Sequence, residues 1–589
     1  MKEYWNYNKE AYLLFFKNIN RFIGYKLASS IIVVMLLMPF LRWFASVMMK
    51  SKGMGYLTNG LVSKFIMSPQ GMFLALISMI IGFIVILLEL GGGILISHQI
   101  ITDSKESRFI DLFIYSIKRL KYMLGFDGLI IALYFIIIAP LMDSNIRTTI
   151  LDNLKIPGFI MDYIVSNDVY FAVLSILFIS VLYLMYRWMF ALHILLLDEN
   201  PKKKFLKKSS FLIKKNFKST IMYFISSALF SLVWFLIILF VFSIIIISIT
   251  LLTHVDFDTG MFIAMILGGI LLFIIMIISI PVSMIKLTLF YHQLSGETAT
   301  LDIKVVDGGT RLNRFLKNKY IVSFSIIIAI VGVFSYTFIT EVFYNQVKYD
   351  VKITSHRGSS FEAPENTLVS IKKAYDNGTD FVEIDVQLTK DEKIILLHDD
   401  NFKRTCNVDK KPSEMTLEEI KKLEAGSWFD EKFKGEKIPT LEEVMDYSRG
   451  KVKLNIEIKG SKTSKNVRKA VVDLIKSKNY INDCVVTSLN YEDILEVEAL
   501  EPKIKTGYII FVAFGDLKNL KTDFYSIEAV NVNENFINNA HSLGRQVHVW
   551  TVNDEGQMEE MIKLGVDNII TDYDYKLRAL LNENNSKVK

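Results

Sequence analysis

Cysteine and proline are scarce in this chain of 589 residues, which contains two cysteines and ten prolines. Cys406 and Cys484 lie far apart and lack the spacing of a metal-ligand pair. These observations exclude a disulfide-stabilised scaffold and give no support to a cysteine-ligated zinc site. The 42 phenylalanines and 26 tyrosines also exclude a disordered or collagen-like chain.

A large excess of one charge is also missing, since the formal net charge is only +6, and we expect no nucleic-acid partner. Hydrophobic residues make up 51% of the chain, and the mean hydropathy of +0.34 is high for a soluble protein. The 22% of charged residues is too high for a protein embedded in a membrane throughout. The averages therefore indicate two unlike regions, and this length favours more than one domain.

Long apolar runs recur before residue 345. Most of them reach the roughly 20 residues that cross the hydrocarbon core of a bilayer. They comprise residues 27–41, 73–95, 129–141, 169–197, 221–252, 261–285 and 321–339. These runs predict an α-helical membrane domain over residues 1–345, with about seven transmembrane helices in contact with a lipid bilayer.

The loops between the runs predict the orientation of this domain. Segment 201–218 contains eight lysines and no acidic residue, whereas 253–260 contains two aspartates and no Lys or Arg. Because basic loops remain in the cytoplasm, this pattern places the N-terminus inside and everything after Phe343 outside the cell membrane. The loop after the first run contains Lys50, Lys52 and Lys64 and fits this pattern poorly.

Acidic residues border or interrupt three of the apolar runs, at Glu89, Asp127 and Asp143. An ionisable group inside a membrane is a candidate for transport or substrate conduction. The alternative interpretation is placement at the membrane interface, or a structural ion pair.

After residue 350, short β-branched runs alternate with amphipathic helical stretches. The predicted strands comprise residues 351–355, 381–388, 394–397, 452–458, 484–488, 506–510, 529–532, 546–551 and 568–571. This alternation over residues 346–589 is typical of an α/β fold of the (β/α)8 TIM-barrel type. The polar stretch 405–439 interrupts the alternation and predicts a small insertion over the barrel mouth.

Carboxylates lie at the ends of two predicted strands. Alternation places Glu383 and Asp385 on one face of their strand, and Glu457 with Lys459 on one face of another. Active sites of such barrels lie at the carboxyl ends of the strands, so we expect these side chains to converge. Three carboxylates form an oxygen-rich site suited to Ca²⁺ or Mg²⁺. The alternative is simple ion pairing with Arg357 and Lys459.

Two histidines follow predicted strands at the same rim, His356 after the first and His398 after the third. One imidazole can accept a proton from the nucleophile while the other protonates the leaving oxygen. Arg357 offers a fork for phosphate oxygens, and Lys459 adds a point charge. The set therefore favours a phosphate ester as substrate.

These residues lie in six motifs: Ile353-Thr-Ser-His-Arg-Gly, Ala363-Pro-Glu-Asn-Thr, Val382-Glu-Ile-Asp-Val, Leu396-Leu-His-Asp, Asn455-Ile-Glu-Ile-Lys and Trp550-Thr-Val-Asn. In content and order, the motifs resemble those of the glycerophosphodiester phosphodiesterases over roughly residues 350–585. The multi-span first half is similar in architecture to that of membrane-attached bacterial members of this family.

The resemblance implies a role for each matching residue. It implies His356 and His398 as the acid/base pair, Glu383, Asp385 and Glu457 as ligands of a divalent cation, Arg357 and Lys459 as phosphate binders, and Glu365 as a supporting residue. Trp550 would stack on the glycerol of the substrate; its alternative is a barrel-filling role.

The implied function is metal-dependent hydrolysis of glycerophosphodiesters to glycerol 3-phosphate and an alcohol at the outer membrane-facing surface. One alternative is a phospholipase D-like or cyclising activity on lysophospholipids. Another is a transporter or lipid-handling membrane module with an accessory barrel.

The predicted orientation leads to a first test. Protease added to intact cells or protoplasts should release a soluble fragment containing the barrel, because an odd number of spans separates it from a cytoplasmic N-terminus. Immunoblotting of the supernatant against the C-terminus measures this release. Protection of the barrel until the membrane is opened would show that the span count is wrong by one.

Overall fold

The computed structural model describes residues 2–131, 168–198, 204–253, 257–296, 351–459, 466–515 and 517–587, with a few isolated positions besides. The chain forms two compact units. The first comprises Met1–Met48, Pro69–Arg147 and Ile164–Val342, and the second comprises Met49–Ser68, Thr148–Tyr163 and Phe343–Lys589.

The first unit is helical. Its helices are Lys2–Lys17, Ile19–Ile32, Met38–Ser51, Pro69–Ile86, Gly92–Ile101, Phe109–Lys118, Leu120–Met123, Asp168–Trp188, Ala191–Leu197, Phe205–Lys215, Phe217–Thr253 and Phe257–Ser295. The helix Met38–Ser51 ends in residues that belong to the second unit. The π-helical turns Val33–Leu37 and Leu87–Gly91 join consecutive helices.

Five helical segments within the described residues are long and apolar enough to cross a membrane. They are Ile19–Ser51, Pro69–Ile101, Asp168–Leu197, Phe217–Ile249 and Leu267–Ser295. The predicted spans 129–141 and 321–339, like the predicted domain boundary near 345, lie almost wholly outside the described residues. The count of seven therefore stays a prediction, whereas a helical membrane domain is confirmed.

Apolar side chains lie on both the inside and the outside of this unit. Phe15, Leu95 and Phe290 are fully buried in its core, whereas Leu36 and Phe240 are more than 60% exposed. An apolar outer surface is unfavourable in water but matches the hydrocarbon of a bilayer.

The described acidic residues of the apolar runs are engaged in local contacts. Glu89 forms an ion pair with Lys26 and accepts a hydrogen bond from Ser29 Oγ at 3.1 Å. Asp127 accepts a hydrogen bond from the backbone N–H of Leu206 at 2.9 Å. Asp143 lies outside the described residues. These contacts favour the structural interpretation of the two carboxylates over a transport role.

The second unit contains a closed parallel barrel. The strands of this unit are β1 (Tyr56–Thr58), β2 (Lys352–Ser355), β3 (Phe381–Leu388), β4 (Ile394–Leu396), β5 (Lys453–Ile458), β6 (Cys484–Ser488), β7 (Lys505–Ile510), β8 (Ala513–Gly515), β9 (Phe524–Glu528), β10 (Gln546–Trp550) and β11 (Asn568–Thr571). Parallel strands follow the order β2-β11-β10-β9-β7-β6-β5-β3, and pairing of β3 with β2 closes the cylinder. The predicted (β/α)8 barrel is confirmed.

Helices of the second unit are Asn59–Ile66, Leu368–Asp376, Lys403–Cys406, Leu417–Ile420, Leu441–Ser448, Val467–Ser477, Tyr491–Leu500, Glu534–Ser542, Glu555–Leu564 and Asp574–Lys587. Alternation along β3 explains how strands and helices pack. Val382, Ile384 and Val386 are fully buried in an apolar cluster that includes residues of the surrounding helices. The intervening Glu383 and Asp385 therefore face the barrel interior.

The structure corrects one predicted strand. Residues 529–532 are not a strand: β9 is Phe524–Glu528, and Ala529–Asn531 forms a 3₁₀ turn directly after it. The β-branched content of 529–532 gave the wrong position, because strand limits are set by pairing of β9 with β7 and β10. The correction places Glu528 at the carboxyl end of a barrel strand.

The strand before His398 has a different direction from the barrel strands. β4 is antiparallel to β3 and pairs Leu396 with Val386, so it lies outside the closed cylinder. The chain leaves the barrel along the end of β3 and returns along β4. This return, rather than the end of a parallel strand, brings His398 close to Asp385.

The predicted insertion, residues 405–439, has a small apolar cluster of its own. Met415, Ile420 and Ile438 of this segment pack there with Leu397 and Phe402, which precede it. Its limits stay a prediction, but the cluster anchors the segment next to His398.

Candidate active site

Three buried carboxylates meet at the carboxyl ends of β3 and β5. Asp385 and Glu457 are register partners on these adjacent strands, and Glu383 lies two residues before Asp385. The three side chains each offer an oxygen within 4.8 Å of the others, and Glu383, Asp385 and Glu457 are 3%, 1% and 8% exposed, respectively. The predicted convergence therefore occurs.

Burial makes this group electrostatically demanding. Burial and the neighbouring Asp385 carboxylate raise the pKa of Glu383 to about 8. Burial opposes ionisation of Asp385 too, but the Lys459 ammonium and other nearby cations hold its pKa below the usual range. Without a further cation, one carboxylate of the set thus tends to be protonated at neutral pH.

The donor set fits a divalent cation. Oε1 of Glu383 is buried and has no hydrogen-bond partner among the described residues. A buried carboxylate oxygen in this state is costly unless it binds a positive charge. Carboxylate oxygens are the ligands of Ca²⁺ and Mg²⁺, so the cluster could hold either ion.

Lys459 and Arg357 border the carboxylates. Nζ of Lys459 lies 2.7 Å from Oε1 of Glu457 and 3.4 Å from Oδ1 of Asp385. Nε of Arg357 lies 3.5 Å from Oδ2 of Asp385. Both cationic side chains therefore lie beside the carboxylates. This is the position expected of side chains that bind a phosphate next to a metal ion.

A left-handed turn aims the backbone after β2 at the carboxylates. Arg357 and Gly358 have φ of 58° and 80°, and the Arg357 N–H donates to Glu383 Oε2 at 2.8 Å. A Cβ at position 358 would lie 2.3 Å from Ser370 Oγ. Only glycine satisfies both the conformation and the close approach, which explains the His-Arg-Gly sequence.

Residues 365 and 366 support this group from one side. Glu365 accepts a hydrogen bond from Nη1 of Arg357 at 3.1 Å. Asn366 donates through Nδ2 to Asp385 Oδ2 at 2.8 Å, and its Oδ1 accepts from the Asp385 N–H at 3.1 Å. The contact of Glu365 agrees with its predicted supporting position; that of Asn366 was not predicted, although Asn366 lies in the quoted Pro-Glu-Asn-Thr motif.

His356 is held by an aspartate that sequence reasoning missed. Nδ1 of His356 lies 2.7 Å from Oδ1 of Asp572, which follows β11. Asp572 also accepts hydrogen bonds from Ser360 Oγ at 2.9 Å and Asn553 Nδ2 at 2.6 Å. Burial lowers the pKa of His356, but the Asp572 carboxylate outweighs burial and the net pKa is raised. Its position directly after the last strand could have identified Asp572.

His398 has a similar partner. Nδ1 of His398 lies 2.9 Å from Oδ1 of Asp399, and Arg404, which directly precedes the predicted insertion, donates to both oxygens of Asp399 at 2.9 and 3.0 Å. Arg404 also donates to both oxygens of Glu365 at 2.7 Å. Arg404 thus links Asp399, which contacts His398, to Glu365, which contacts Arg357. No spacing in the sequence predicted this link.

An open cavity of about 420 Å³ adjoins these residues. Its lining comprises His356, Arg357, Ser360, Phe361, Glu365, Glu528, Ala529, Val530, Trp550, Thr551, Asn553, Gln557, Asp572 and Tyr573. The lining thus combines charged and aromatic side chains.

Trp550 lies at the cavity, and its register partner on β9 is Glu528. Two other histidines do not line this cavity. His548 is buried and stacks on Phe524 with ring centroids 4.0 Å apart, and His541 contacts Asp567 from a helix. These placements favour a structural role for both.

Comparison with known proteins relates both parts of the chain to one family. Residues 356–574 match the glycerophosphoryl diester phosphodiesterase family. Residues 9–339, more than half of the chain, match the membrane domain of glycerophosphoryl diester phosphodiesterase.

Individual relatives match the barrel region. A glycerophosphodiester phosphodiesterase of Caldanaerobacter subterraneus subsp. tengcongensis is 37% identical over 226 residues, which are 37% of this chain and 93% of the relative. One of Bacillus subtilis is 30% identical over 243 residues, 37% of this chain and 82% of the relative. The solved structure of an Oleispira antarctica phosphodiesterase in complex with the product sn-glycerol-3-phosphate is 30% identical, covers 39% of this chain and 96% of that chain, and has a TM-score of 0.37.

The contact between Asp572 and His356 leads to a second test. Asp572→Asn should lower the pKa of His356, because the carboxylate that opposes the effect of burial is lost. If His356 is a general base, it acts in the neutral form, so the acidic limb of the kcat/KM profile on a glycerophosphodiester should move to lower pH. Maximal turnover should fall about 100-fold or more, since the imidazole is no longer held in one tautomer.

The control for this test is Asp376→Asn, which removes an exposed carboxylate paired with Lys372 and should leave the profile unchanged. An unshifted acidic limb in Asp572→Asn would show that His356 is not the group that titrates there.

Proposed function

Because the chain belongs to the glycerophosphoryl diester phosphodiesterase family, we propose that it hydrolyses glycerophosphodiesters to glycerol 3-phosphate and an alcohol, with a divalent cation and a histidine pair. The observation that carries this proposal is the cluster of Glu383, Asp385 and Glu457 at the end of β3 and β5, next to two histidines that each contact an aspartate. Carboxylates for a cation, cations for a phosphate and two proton-transfer groups are what this hydrolysis requires.

The phosphate would bind between the cation and the basic side chains. Arg357 presents a planar fork and Lys459 a compact ammonium, and both lie beside Asp385. Their contacts with Glu365 and Glu457 hold them before substrate arrives, so little ordering is needed on binding. Ca²⁺ or Mg²⁺, held by the three carboxylates, would neutralise phosphate charge and lower the pKa of the attacking water.

The histidines would divide the proton transfers. In both, Nδ1 contacts a carboxylate, which leaves Nε2 as the nitrogen for proton exchange with substrate or water. We assign His398 as the general acid and His356, next to Arg357, as the general base. Trp550 would stack on the glycerol, and Glu365 would orient Arg357.

The catalytic barrel would act at the outer surface of the cell membrane. This proposal is supported by the basic loop 201–218, by the acidic loop 253–260 and by the apolar helices of the first unit. Its substrates would then be released headgroups, lysophospholipids or glycerol-phosphate polymers of the envelope.

One observation favours an apolar leaving alcohol as a second candidate. Phe361 lies at the cavity, is 49% exposed and packs on Tyr573 with ring centroids 4.3 Å apart. Exposed aromatic surface beside a polar site can accommodate an acyl chain. Comparison of product release from lysophosphatidylcholine and glycerophosphocholine distinguishes the two substrate classes.

A third test concerns the cation. We expect a reduction in turnover for each of three variants, Glu383→Gln, Asp385→Asn and Glu457→Gln. The reduction should exceed roughly 100-fold, which is the upper range for mutation of residues that contact a metal's ligands without binding the metal. Each should also abolish the rise in melting temperature on addition of Ca²⁺ or Mg²⁺. Because the carboxylates repel one another without a cation, Glu383→Gln should not lower the melting temperature of the metal-free protein.

The matched control is Asp400→Asn, which removes an exposed carboxylate close to the same rim in sequence. It should keep both turnover and the melting shift. Full activity of the unmodified protein in excess chelator would refute a role for the cation.

A fourth test separates the histidines. His356→Ala and His398→Ala should each lower turnover by roughly two to four orders of magnitude on a natural diester. A p-nitrophenyl ester, whose phenolate leaves without protonation, should partly rescue the variant that lacks the general acid, which we expect to be His398→Ala. The exposed His541→Ala serves as control and should retain full turnover.

Rescue of His356→Ala alone would reverse the two assignments. Near-normal turnover in either variant would show that this histidine is structural.

A further inference from the structure

The compact unit that contains the barrel also contains residues 52–68, which connect the first two membrane-spanning helices and which we call the first loop. β1 of the first loop pairs antiparallel with β8, with Tyr56 opposite Gly515 and Thr58 opposite Ala513. A Cβ at position 515, where φ is +87°, would lie 2.8 Å from the carbonyl oxygen of Gly55. The two backbones thus approach closely, and position 515 requires a glycine because a side chain there would clash with the first loop.

Asn59 extends this contact to the barrel rim. Its Nδ2 donates to the carbonyl oxygens of Ile509 at 2.7 Å and Leu489 at 3.2 Å, and its Oδ1 accepts from the N–H of Phe511 at 3.1 Å. These backbone groups lie at the carboxyl ends of β6 and β7. In addition, Thr58 Oγ1 lies 3.1 Å from the hydroxyl of Tyr508.

The contact continues from the rim to the substrate cavity. The carbonyl oxygen of Phe511 accepts a hydrogen bond from Asn531 Nδ2 at 3.0 Å. Asn531 ends the 3₁₀ turn whose other residues, Ala529 and Val530, line the cavity together with Glu528. A chain of hydrogen bonds therefore runs from the first loop to one wall of the cavity.

The loop is buried where it makes these contacts. Leu57, Thr58 and Asn59 are 5%, 1% and 8% exposed. Asn59 has φ of 37°, a conformation that asparagine tolerates better than most residues. Burial, strand pairing and side-chain hydrogen bonds together distinguish this contact from incidental proximity.

We propose that the first loop is an intramolecular docking segment that fixes the cavity wall of residues 528–530, so that substrate binding by the barrel depends on a loop between two membrane-spanning helices. The wall contacts substrate without taking part in proton transfer. Its loosening should therefore weaken binding in the ground state and the transition state alike, which raises KM and leaves kcat nearly unchanged.

Asn59→Gly tests this coupling, because glycine removes the side chain without strain at positive φ. Each lost hydrogen bond shifts a local equilibrium by about 2- to 12-fold, so KM in the full-length protein should rise by about 3- to 30-fold. Asn531→Ala should raise KM similarly. The KM of the double variant should be only slightly higher than that of either single variant, because both substitutions interrupt the same chain of contacts.

Ser63→Ala is the matched control, since among the described residues its hydroxyl donates only to the Gly60 carbonyl oxygen within the first loop itself. It should leave KM unchanged. An unchanged KM in Asn59→Gly, or strictly additive effects of Asn59→Gly and Asn531→Ala, would overturn the coupling.

Docking itself can be tested without an enzyme assay, so failure of the proposed function and of this inference are distinguishable. In membranes containing the full-length Cys406→Ser/Cys484→Ala protein, Thr58→Cys with Ala513→Cys should form a disulfide, because the two are register partners. After cleavage at a protease site inserted in 201–218, the fragments should stay joined on a non-reducing gel. Leu57→Cys with Ala513→Cys is the control, since adjacent strand residues point to opposite faces. Absence of the Thr58–Ala513 cross-link, or equal cross-linking in the control, would overturn docking.

Discussion

Mutual repulsion among Glu383, Asp385 and Glu457 is the constraint around which the barrel's site is arranged. Three carboxylates that are almost fully buried within 4.8 Å of one another cannot all ionise without compensation. Arg357 and Lys459 supply part of it, and both are themselves held by acidic side chains. The orphan oxygen of Glu383 and its raised pKa show that compensation by the described residues is incomplete. A divalent cation would complete it, and the phosphate of a substrate would then meet net positive charge.

The sequence predicted this centre well because its pattern is local. Alternation within β3 alone puts Glu383 and Asp385 on one face, and the barrel rule places the end of β5 beside it. The partners of the histidines depend on closure of the barrel instead. Asp572 reaches His356 only because β11 pairs with β2, a contact between the two ends of the barrel's sequence. No spacing between residues 356 and 572 encodes that pairing.

The insertion and β4 show the same limit. The polar stretch after residue 405 was recognisable as an interruption, but the contacts of the adjacent Arg404 with Glu365 and Asp399 together were not predictable from the sequence. Likewise, β4 could be predicted as a strand but not as antiparallel, because direction is decided by the turn after β3. The misplaced strand at 529–532 arose because β-branched composition does not mark where pairing with neighbours stops.

The docking of the first loop also bears on membrane topology, independently of charge counting. If the first loop and the barrel dock in one unit, an even number of spans must separate residue 68 from residue 351. Four membrane-length helices lie in the described residues of that interval. The predicted spans 129–141 and 321–339 would add two crossings to these four and keep the number even. Only if both cross does the lysine-rich segment 201–218 lie on the side of the membrane opposite the barrel. In that case the lysines of the first loop are on the same side as the barrel, because the contacts of this loop with β7 and β8 hold it there.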